Sequence, residues 1–187
     1  MTEESISSAI SESSKPFKYA HIERERRFLL LELPWAIAYD RSMLIEDRYL
    51  IGSTLRLRRV EAPGKKCVYK LGQKIRLDAS PRTIAHTTLY LSEAEFGILS
   101  TLPASILVKT RHFLTIDGLV VGIDEFGGPL NGLLLAEVDL GTEEGMPISF
   151  PHMFATEVTD DERFTGGSLA NTTSDELMVL LSAHQNY

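Results

Sequence analysis

The chain has 187 residues, an apolar share of 43% and a net charge of −7, with a pI near 5.3. This size fits one globular domain, and the acidic balance argues against non-specific nucleic-acid binding over the whole surface. The single cysteine, Cys67, excludes an intramolecular disulfide framework, and no apolar run approaches the roughly 18 residues of a membrane span. The first residues lack the basic and apolar pattern of a signal peptide, so we expect a cytoplasmic protein.

Strands dominate the predicted secondary structure. Short runs of alternating or branched residues between turn signals predict strands at 20–31, 42–52, 54–61, 66–72, 82–91, 106–116, 119–126 and 133–141. Ala62-Pro63-Gly64-Lys65 and Asp117-Gly118 have the composition of hairpin turns. Short turns favour antiparallel pairing, and closure into a barrel removes exposed edges. The predicted fold is α+β, mainly antiparallel, a closed or nearly closed barrel with helices outside.

Helices and irregular segments account for the rest of the chain. Capping boxes are predicted at Ser92 with Glu95 and at Thr159 with Glu162, and Ser174 is the predicted cap of the last helix. The predicted helices cover 93–101, 163–170 and 175–184. Residues 1–18 are rich in Ser and Glu and predict a flexible tail before a single domain at 19–187, with a loop or short helix at 35–41 and a polar loop at 74–81.

Charged residues alternate with apolar ones on the predicted strands. Alternate side chains of a strand share a face, so Glu23, Glu25 and Arg27 point the same way. The later strands continue the pattern with the cations Arg56, Arg58, Lys70, Lys109 and Arg111 and the acids Asp124, Glu137 and Asp139. One such strand alone indicates a solvated face, but the whole set pointing inward would line a tunnel. Clustered cations suit a chain of phosphates, and carboxylates beside them suit a hard divalent cation.

The same segments resemble a known family. Glu23-Arg24-Glu25-Arg26-Arg27 is similar to the E-x-E-x-K signature of the CYTH superfamily, the triphosphate tunnel metalloenzymes, with arginine in place of lysine. The following segments resemble the family's later motifs in order: Leu55-Arg56-Leu57-Arg58, Val68-Tyr69-Lys70, Lys109-Thr110-Arg111, Ile123-Asp124-Glu125-Phe126 and Glu137-Val138-Asp139. Residues 157–164 resemble the closing segment of short, single-domain bacterial members, which are most often similar to inorganic triphosphatase.

The resemblance implies an eight-stranded antiparallel tunnel that binds triphosphate with Mg²⁺ or Mn²⁺. It implies that Glu23, Glu25, Glu137 and Asp139 hold the metal. It further implies that the phosphates are bound by Arg27, Arg56, Arg58, Lys70, Lys109 and Arg111.

Two segments depart from the family pattern. Ile84, His86 and Thr88 stand where the family has R-x-E-x-E, so two expected acids are replaced. His86 is open to three interpretations: a ligand for a softer metal, a general base, or a polar strand residue. Near the C-terminus, Thr165-Gly166-Gly167-Ser168 replaces a segment that often carries asparagine and lysine.

The predicted function is metal-dependent hydrolysis of inorganic triphosphate or a related triphosphate or polyphosphate. Glu25, Asp124 and His86 are the candidate catalytic residues. The alternatives are a catalytically weakened module that binds polyphosphate or nucleotide, and an enzyme similar to class IV adenylate cyclase. The expected partner is the small-molecule phosphate, with no membrane or nucleic acid, and a homodimer is left open.

Overall fold

The computed structural model describes residues 19–33, 41–77, 83–116, 118–140 and 154–184. Its strands are β1 (His21–Leu30), β2 (Arg41–Leu50), β3 (Leu55–Glu61), β4 (Val68–Arg76), β5 (Thr83–Leu91), β6 (Ala104–Ile116), β7 (Leu119–Phe126), β8 (Leu134–Asp139) and β9 (Phe154–Glu157). Its helices are α1 (Glu93–Leu99), α2 (Gly166–Leu169) and α3 (Ser174–Ser182), with 3-10 helices at Gly128–Leu130 and Glu162–Phe164. The predicted tail at 1–18, positions 35–40 and Asp117 lie outside the described residues.

Eight of the strands close into an antiparallel barrel. Their order is β5-β4-β3-β2-β6-β7-β8-β1, and β1 returns to β5 through the pairs His21↔His86 and Glu23↔Ile84. The last residues of β1 pair with the short strand β9. The β6–β7 hairpin pairs Ile116 with Leu119, and Gly118 has the positive φ of 82° that so tight a turn favours. The predicted closed antiparallel tunnel is confirmed.

The charged faces of the strands point into the barrel. The clearest evidence is that Lys74 on β4 contacts Glu23 and Glu25 on β1 although β5 lies between those two strands. Such contacts are formed only on the concave side of a closed sheet. Because alternate side chains share a face, this fixes the inward positions of each neighbouring strand through the pairing register.

Apolar side chains fill one end of the barrel and form what we call the apolar floor. Leu29, Leu107, Phe126 and Leu135 are each two residues away in sequence from an inward charged residue, and all four point toward the same end of the barrel. They form one buried cluster with residues of the C-terminal segment, which are Val158, Phe164, Leu169, Leu177 and Leu180. Helices α2 and α3 therefore pack at the end of the barrel.

Helix α1 packs on the outer wall. Its buried residue Phe96 contacts the outward apolar side chains of β3 and β4, including Leu57 and Tyr69, whose ring centroid lies 4.8 Å from that of Phe96. The predicted capping box begins this helix, since the Ser92 hydroxyl accepts a hydrogen bond from the Glu95 N–H and the Glu95 carboxylate accepts one from the Ser92 N–H. Within the described ranges, every helix is too short or too polar to cross a bilayer.

Several predicted boundaries are wrong. β4 continues to Arg76, so Lys74 lies in a strand where a loop at 74–81 is predicted. The residues beyond Gly72 stay extended because they pair with β5 as far as Arg76↔Ile84. Strand β9 is missing from the prediction. Its four residues form a strand by pairing with β1, which is distant in sequence.

Two predicted helix caps are also wrong. Thr173, and not Ser174, caps α3, because Glu176 lies three residues after Thr173 and completes a capping box. The Thr159 hydroxyl instead accepts a hydrogen bond from the Arg27 N–H at 3.0 Å, which joins the C-terminal segment to β1.

Candidate functional site

Charged side chains from seven of the barrel strands and a histidine from β5 line the interior above the apolar floor. Every cation predicted to bind phosphate belongs to this set. The lining residues are Glu23, Glu25 and Arg27 of β1, Asp47 of β2, Arg56 and Arg58 of β3, Lys70 and Lys74 of β4, His86 of β5, Lys109 and Arg111 of β6, Asp124 of β7 and Glu137 of β8.

Asp47 holds the two arginines of β3. Its side chain is 1% exposed, and its two oxygens each lie 2.7 Å from a nitrogen of Arg58. Arg56 approaches the same carboxylate at 3.5 Å, and its Nε is buried without a hydrogen-bond partner. Burial opposes ionisation of Asp47, but Arg58 and Arg56 outweigh it and lower the pKa to about 2. One carboxylate thus positions two cations.

Asp124 likewise positions the two cations of β6. It is fully buried and accepts hydrogen bonds from Lys109 Nζ at 2.5 Å and from Nε and Nη2 of Arg111 at 2.6 Å each. Gly122 makes room for this arrangement, since a Cβ there would lie 3.2 Å from the Cδ and Nε of Arg111. Burial lowers the pKa of Lys109 despite the nearby carboxylate. Both oxygens of Asp124 therefore contact cations of β6, and its role as a catalytic residue stays a prediction.

Arg27 links the first and last strands of the barrel. Its Nε lies 3.1 Å from Glu137 Oε1, and its Nη2 lies 3.8 Å from Glu25 Oε2. The other Glu137 oxygen pairs with Arg111. Burial raises the pKa of Glu137, but Arg111, Lys109 and Arg27 outweigh it and hold that pKa well below its usual range. Glu137 remains an anion among cations.

Lys74 lies between the two glutamates of β1. Its ammonium is 2.8 Å from Glu23 Oε2 and in closer contact with Glu25 Oε1. Burial lowers the pKa of Lys74, but Glu25 and Glu23 outweigh it and raise the pKa above its usual value. The side chain is thus a charged bridge within the acidic pair.

His86 completes this side of the interior. Its Nδ1 lies 2.5 Å from Glu23 Oε1, and its Nε2 lies 3.0 Å from Thr88 Oγ1. A Cβ at Gly72 would lie 3.3 Å from His86 Nε2 and 3.6 Å from Arg56 Nη2. Because glycine has no side chain, the space beside Gly72 stays open, and the His86 imidazole and the Arg56 guanidinium both border it.

Two predicted residues lie at the rim. The Lys70 ammonium is 5.0 Å from the ring centroid of Tyr90, which is 73% exposed, so this cation lies toward the open end of the barrel. Asp139 is exposed, and its Oδ1 accepts a hydrogen bond of 3.3 Å from the Arg24 N–H.

The carboxylates predicted to hold a metal do not fit a divalent cation as they are arranged. Oxygen donors suit Mg²⁺ and Mn²⁺, but both oxygens of Glu23, Glu25 and Glu137 already contact side-chain nitrogens. Across the ranges that the structure describes, no three His, Cys, Asp or Glu side chains gather as metal ligands. Their role as metal ligands stays a prediction.

Sequence reasoning missed Asp47 and Lys74. Asp47 shares a face with Ile45 and Tyr49, so the same alternation that identified the other strands could have found it. The polar sequence around Lys74 predicts a loop, and only the pairing of β4 with β5 places this residue inside the barrel. Tyr49 also faces inward and packs against the apolar floor.

Solved structures of another protein share this architecture. Two crystal structures of NE1496, one described as a hypothetical protein and the other as inorganic triphosphatase, have TM-scores of 0.56 and 0.55 with this chain. Sequence identity is 23% and 24%, over 81% and 80% of this chain and 99% and 95% of the other. No protein-family model matches the chain, and no curated protein matches it. The closed barrel and these two structures together show that this chain shares the overall fold of NE1496, in agreement with the fold that the resemblance to the CYTH superfamily predicts.

Proposed function

We propose that the chain binds a triphosphate or short polyphosphate inside the barrel and hydrolyses it. The proposal depends on one observation: in two places, a single buried carboxylate contacts two side-chain cations. Asp47 contacts Arg56 and Arg58, and Asp124 contacts Lys109 and Arg111. Each group of three side chains keeps one net positive charge, which makes both of them binding groups for an anion.

The arrangement of these cations supports phosphate as the ligand. Both carboxylates fix their arginines from one side, so the guanidinium groups are ordered before a ligand arrives, which reduces the entropy cost of binding. Arg56 Nε is buried without a hydrogen-bond partner, and a phosphate oxygen would satisfy it. Lys70 at the rim adds a further charge along the path into the barrel.

His86 is the best candidate for a general base. Glu23 contacts Nδ1 and orients the ring, and Nε2 lies on the side of the interior that Arg56 also faces. In the proposed step, a water oxygen bonds to the terminal phosphorus while His86 accepts the proton of that water. The bond between this phosphorus and the bridging oxygen breaks, and orthophosphate and diphosphate leave. The arginines stabilise the charge on the leaving oxygens.

The structural neighbour supports the substrate class, since one of its structures is described as an inorganic triphosphatase. Dependence on Mg²⁺ or Mn²⁺ is predicted from the family resemblance alone. The proposed step does not involve a metal, because the predicted metal ligands contact Arg27, Lys74, His86 and Arg111 instead.

Release of orthophosphate from tripolyphosphate tests this proposal. We would measure it with purified protein in EDTA, Mg²⁺ and Mn²⁺ across a range of pH, and measure tripolyphosphate binding by calorimetry. Turnover together with binding supports the proposal. Binding with no turnover under any condition would favour a binding module, and cyclic nucleotide formed from ATP would favour the cyclase alternative. No binding at all would overturn the proposal.

A further inference from the structure

The two glutamates of β1 already have a cation of the chain between them. Glu23 and Glu25 are alternate residues of one strand, about 7 Å apart along it, and both point into the barrel. Like charges at this spacing repel unless a cation compensates them. Lys74 supplies that cation, with its ammonium in contact with one oxygen of each carboxylate.

The remaining oxygens of the pair face other nitrogens. His86 Nδ1 lies 2.5 Å from Glu23 Oε1, and Arg27 Nη2 lies 3.8 Å from Glu25 Oε2. A divalent cation that used both carboxylates would therefore have to displace the ammonium. After that displacement it would still lie near Arg27 and the Lys74 side chain, and the repulsion between these positive charges costs electrostatic free energy.

We propose that Lys74 is a resident counter-ion that takes the place of a divalent cation between Glu23 and Glu25. Tripolyphosphate consequently binds to the basic lining without a metal at this pair. The inference deepens the proposed function and rests on it for the identity of the anion. Its main test contains no phosphate, so its failure and that of the proposed function are distinguishable.

The test is a titration of the full chain with MnCl₂ in phosphate-free buffer, followed by the electron paramagnetic resonance signal of free Mn²⁺. Lys74→Met removes the ammonium and keeps the length of the side chain. Lys70→Met is the matched control, because it makes the same change on the same face of β4 at a residue that contacts the Tyr90 ring.

We expect Lys74→Met to bind Mn²⁺ roughly ten- to hundredfold more tightly than the wild type, the size of effect that neighbours of metal ligands commonly have. Lys70→Met should bind Mn²⁺ like the wild type. Adding Glu25→Gln to Lys74→Met should abolish the gain in Mn²⁺ affinity, which would show that the Mn²⁺ binds at the Glu23–Glu25 pair. Equal Mn²⁺ affinity in the wild type and Lys74→Met, whether tight or weak, would overturn the proposal.

A measurement on the wild type alone keeps the proposal testable if Lys74→Met does not fold. Tripolyphosphate affinity by calorimetry should be the same in EDTA as in buffer with trace divalent cations. A loss of binding of tenfold or more in EDTA would show that a metal at the site is required, and would also overturn the proposal.

Discussion

The Arg58 guanidinium donates two hydrogen bonds to the Asp47 carboxylate, from Nε to Oδ1 and from Nη2 to Oδ2, each 2.7 Å long. Arg56 contacts the same carboxylate at 3.5 Å but its Nε has no hydrogen-bond partner. The two arginines of β3 therefore differ in what they contribute before a ligand binds. Arg58 stabilises the barrel, whereas Arg56 keeps donor capacity for an anion.

Because of this difference, substitutions of the two arginines should affect tripolyphosphate binding and protein stability to different extents. We expect Arg56→Gln to weaken tripolyphosphate binding by about 1.5–3 kcal/mol, the range for a hydrogen bond to a charged group, with little change in the free energy of unfolding. Arg58→Gln should lower both quantities, because it removes the bonded partner of a buried carboxylate. Calorimetry and urea denaturation measure the two effects. Equal loss of stability in both variants would contradict the distinction.

Asp47 is expected to be needed for stability as well as for binding. Asp47→Asn removes the negative partner of a buried ion pair, which commonly costs about 3–5 kcal/mol of unfolding free energy. Glu46→Gln is the control, since it makes the same change one residue away at a side chain that is 27% exposed. Urea denaturation of both variants checks the expectation. If the two lost equal stability, Asp47 would not have the assigned role.

Stability should depend on pH through the same carboxylate. The pKa of Asp47 is lowered in the folded chain to about 2, whereas an unperturbed aspartate titrates near 3.9. Protons therefore bind Asp47 more readily in the unfolded chain than in the folded chain. The ionised carboxylate contributes to the free energy of unfolding above about pH 4, and this contribution is lost as the pH falls from 4 to 2. Urea denaturation at several pH values should show a shallower decline for Asp47→Asn than for the wild type. Identical slopes would contradict this reading.

His86 is expected to affect turnover more than binding. His86→Gln should reduce kcat for tripolyphosphate by about 10²–10⁴, the usual contribution of a general base, with a small effect on KM. His112→Gln is the matched control, because His112 also contacts a carboxylate, at 3.2 Å from Glu125, but on the outer face of the barrel. Phosphate release measures both. An unchanged kcat in His86→Gln would remove His86 from the mechanism.

The glycines near the C-terminus are explained by the packing of α2 against Tyr49. A Cβ at Gly166 would overlap the Tyr49 hydroxyl, whereas a Cβ at Gly167 would meet the ring at an ordinary 3.8 Å. We expect Gly166→Ala to cost about 1–3 kcal/mol of unfolding free energy through overpacking. Gly167→Ala should be neutral or slightly stabilising, since alanine favours helix. Thermal denaturation distinguishes the pair, and equal melting temperatures would contradict the packing argument.

Alternation along single strands predicts most of the inward charged set, although Asp47 and Lys74 are missing from the prediction. Arg56, Arg58, Lys109 and Arg111 follow a period of two within local sequence, and closure of the barrel then fixes which face is inside. The pairing of each buried acid with two cations could not be predicted, because it depends on the register between strands. That register brings Asp47 opposite Arg58 and Asp124 opposite Arg111.

The missed features have tertiary causes. Lys74 lies in a polar run that resembles a loop, and its strand is extended only by pairing with β5. Strand β9 is four residues long and depends on β1. By contrast, the Thr173 cap was available from the sequence, because glutamate follows three residues after Thr173 and leucine follows three residues after Ser174.

The most direct test of the central claim is a crystal structure of the full chain with an imido-linked triphosphate analogue in EDTA. We predict an anion inside the barrel, with oxygens within hydrogen-bond distance of Arg56, Arg58 and Lys109. An empty interior at saturating analogue, or an anion bound only to the outer surface, would contradict it.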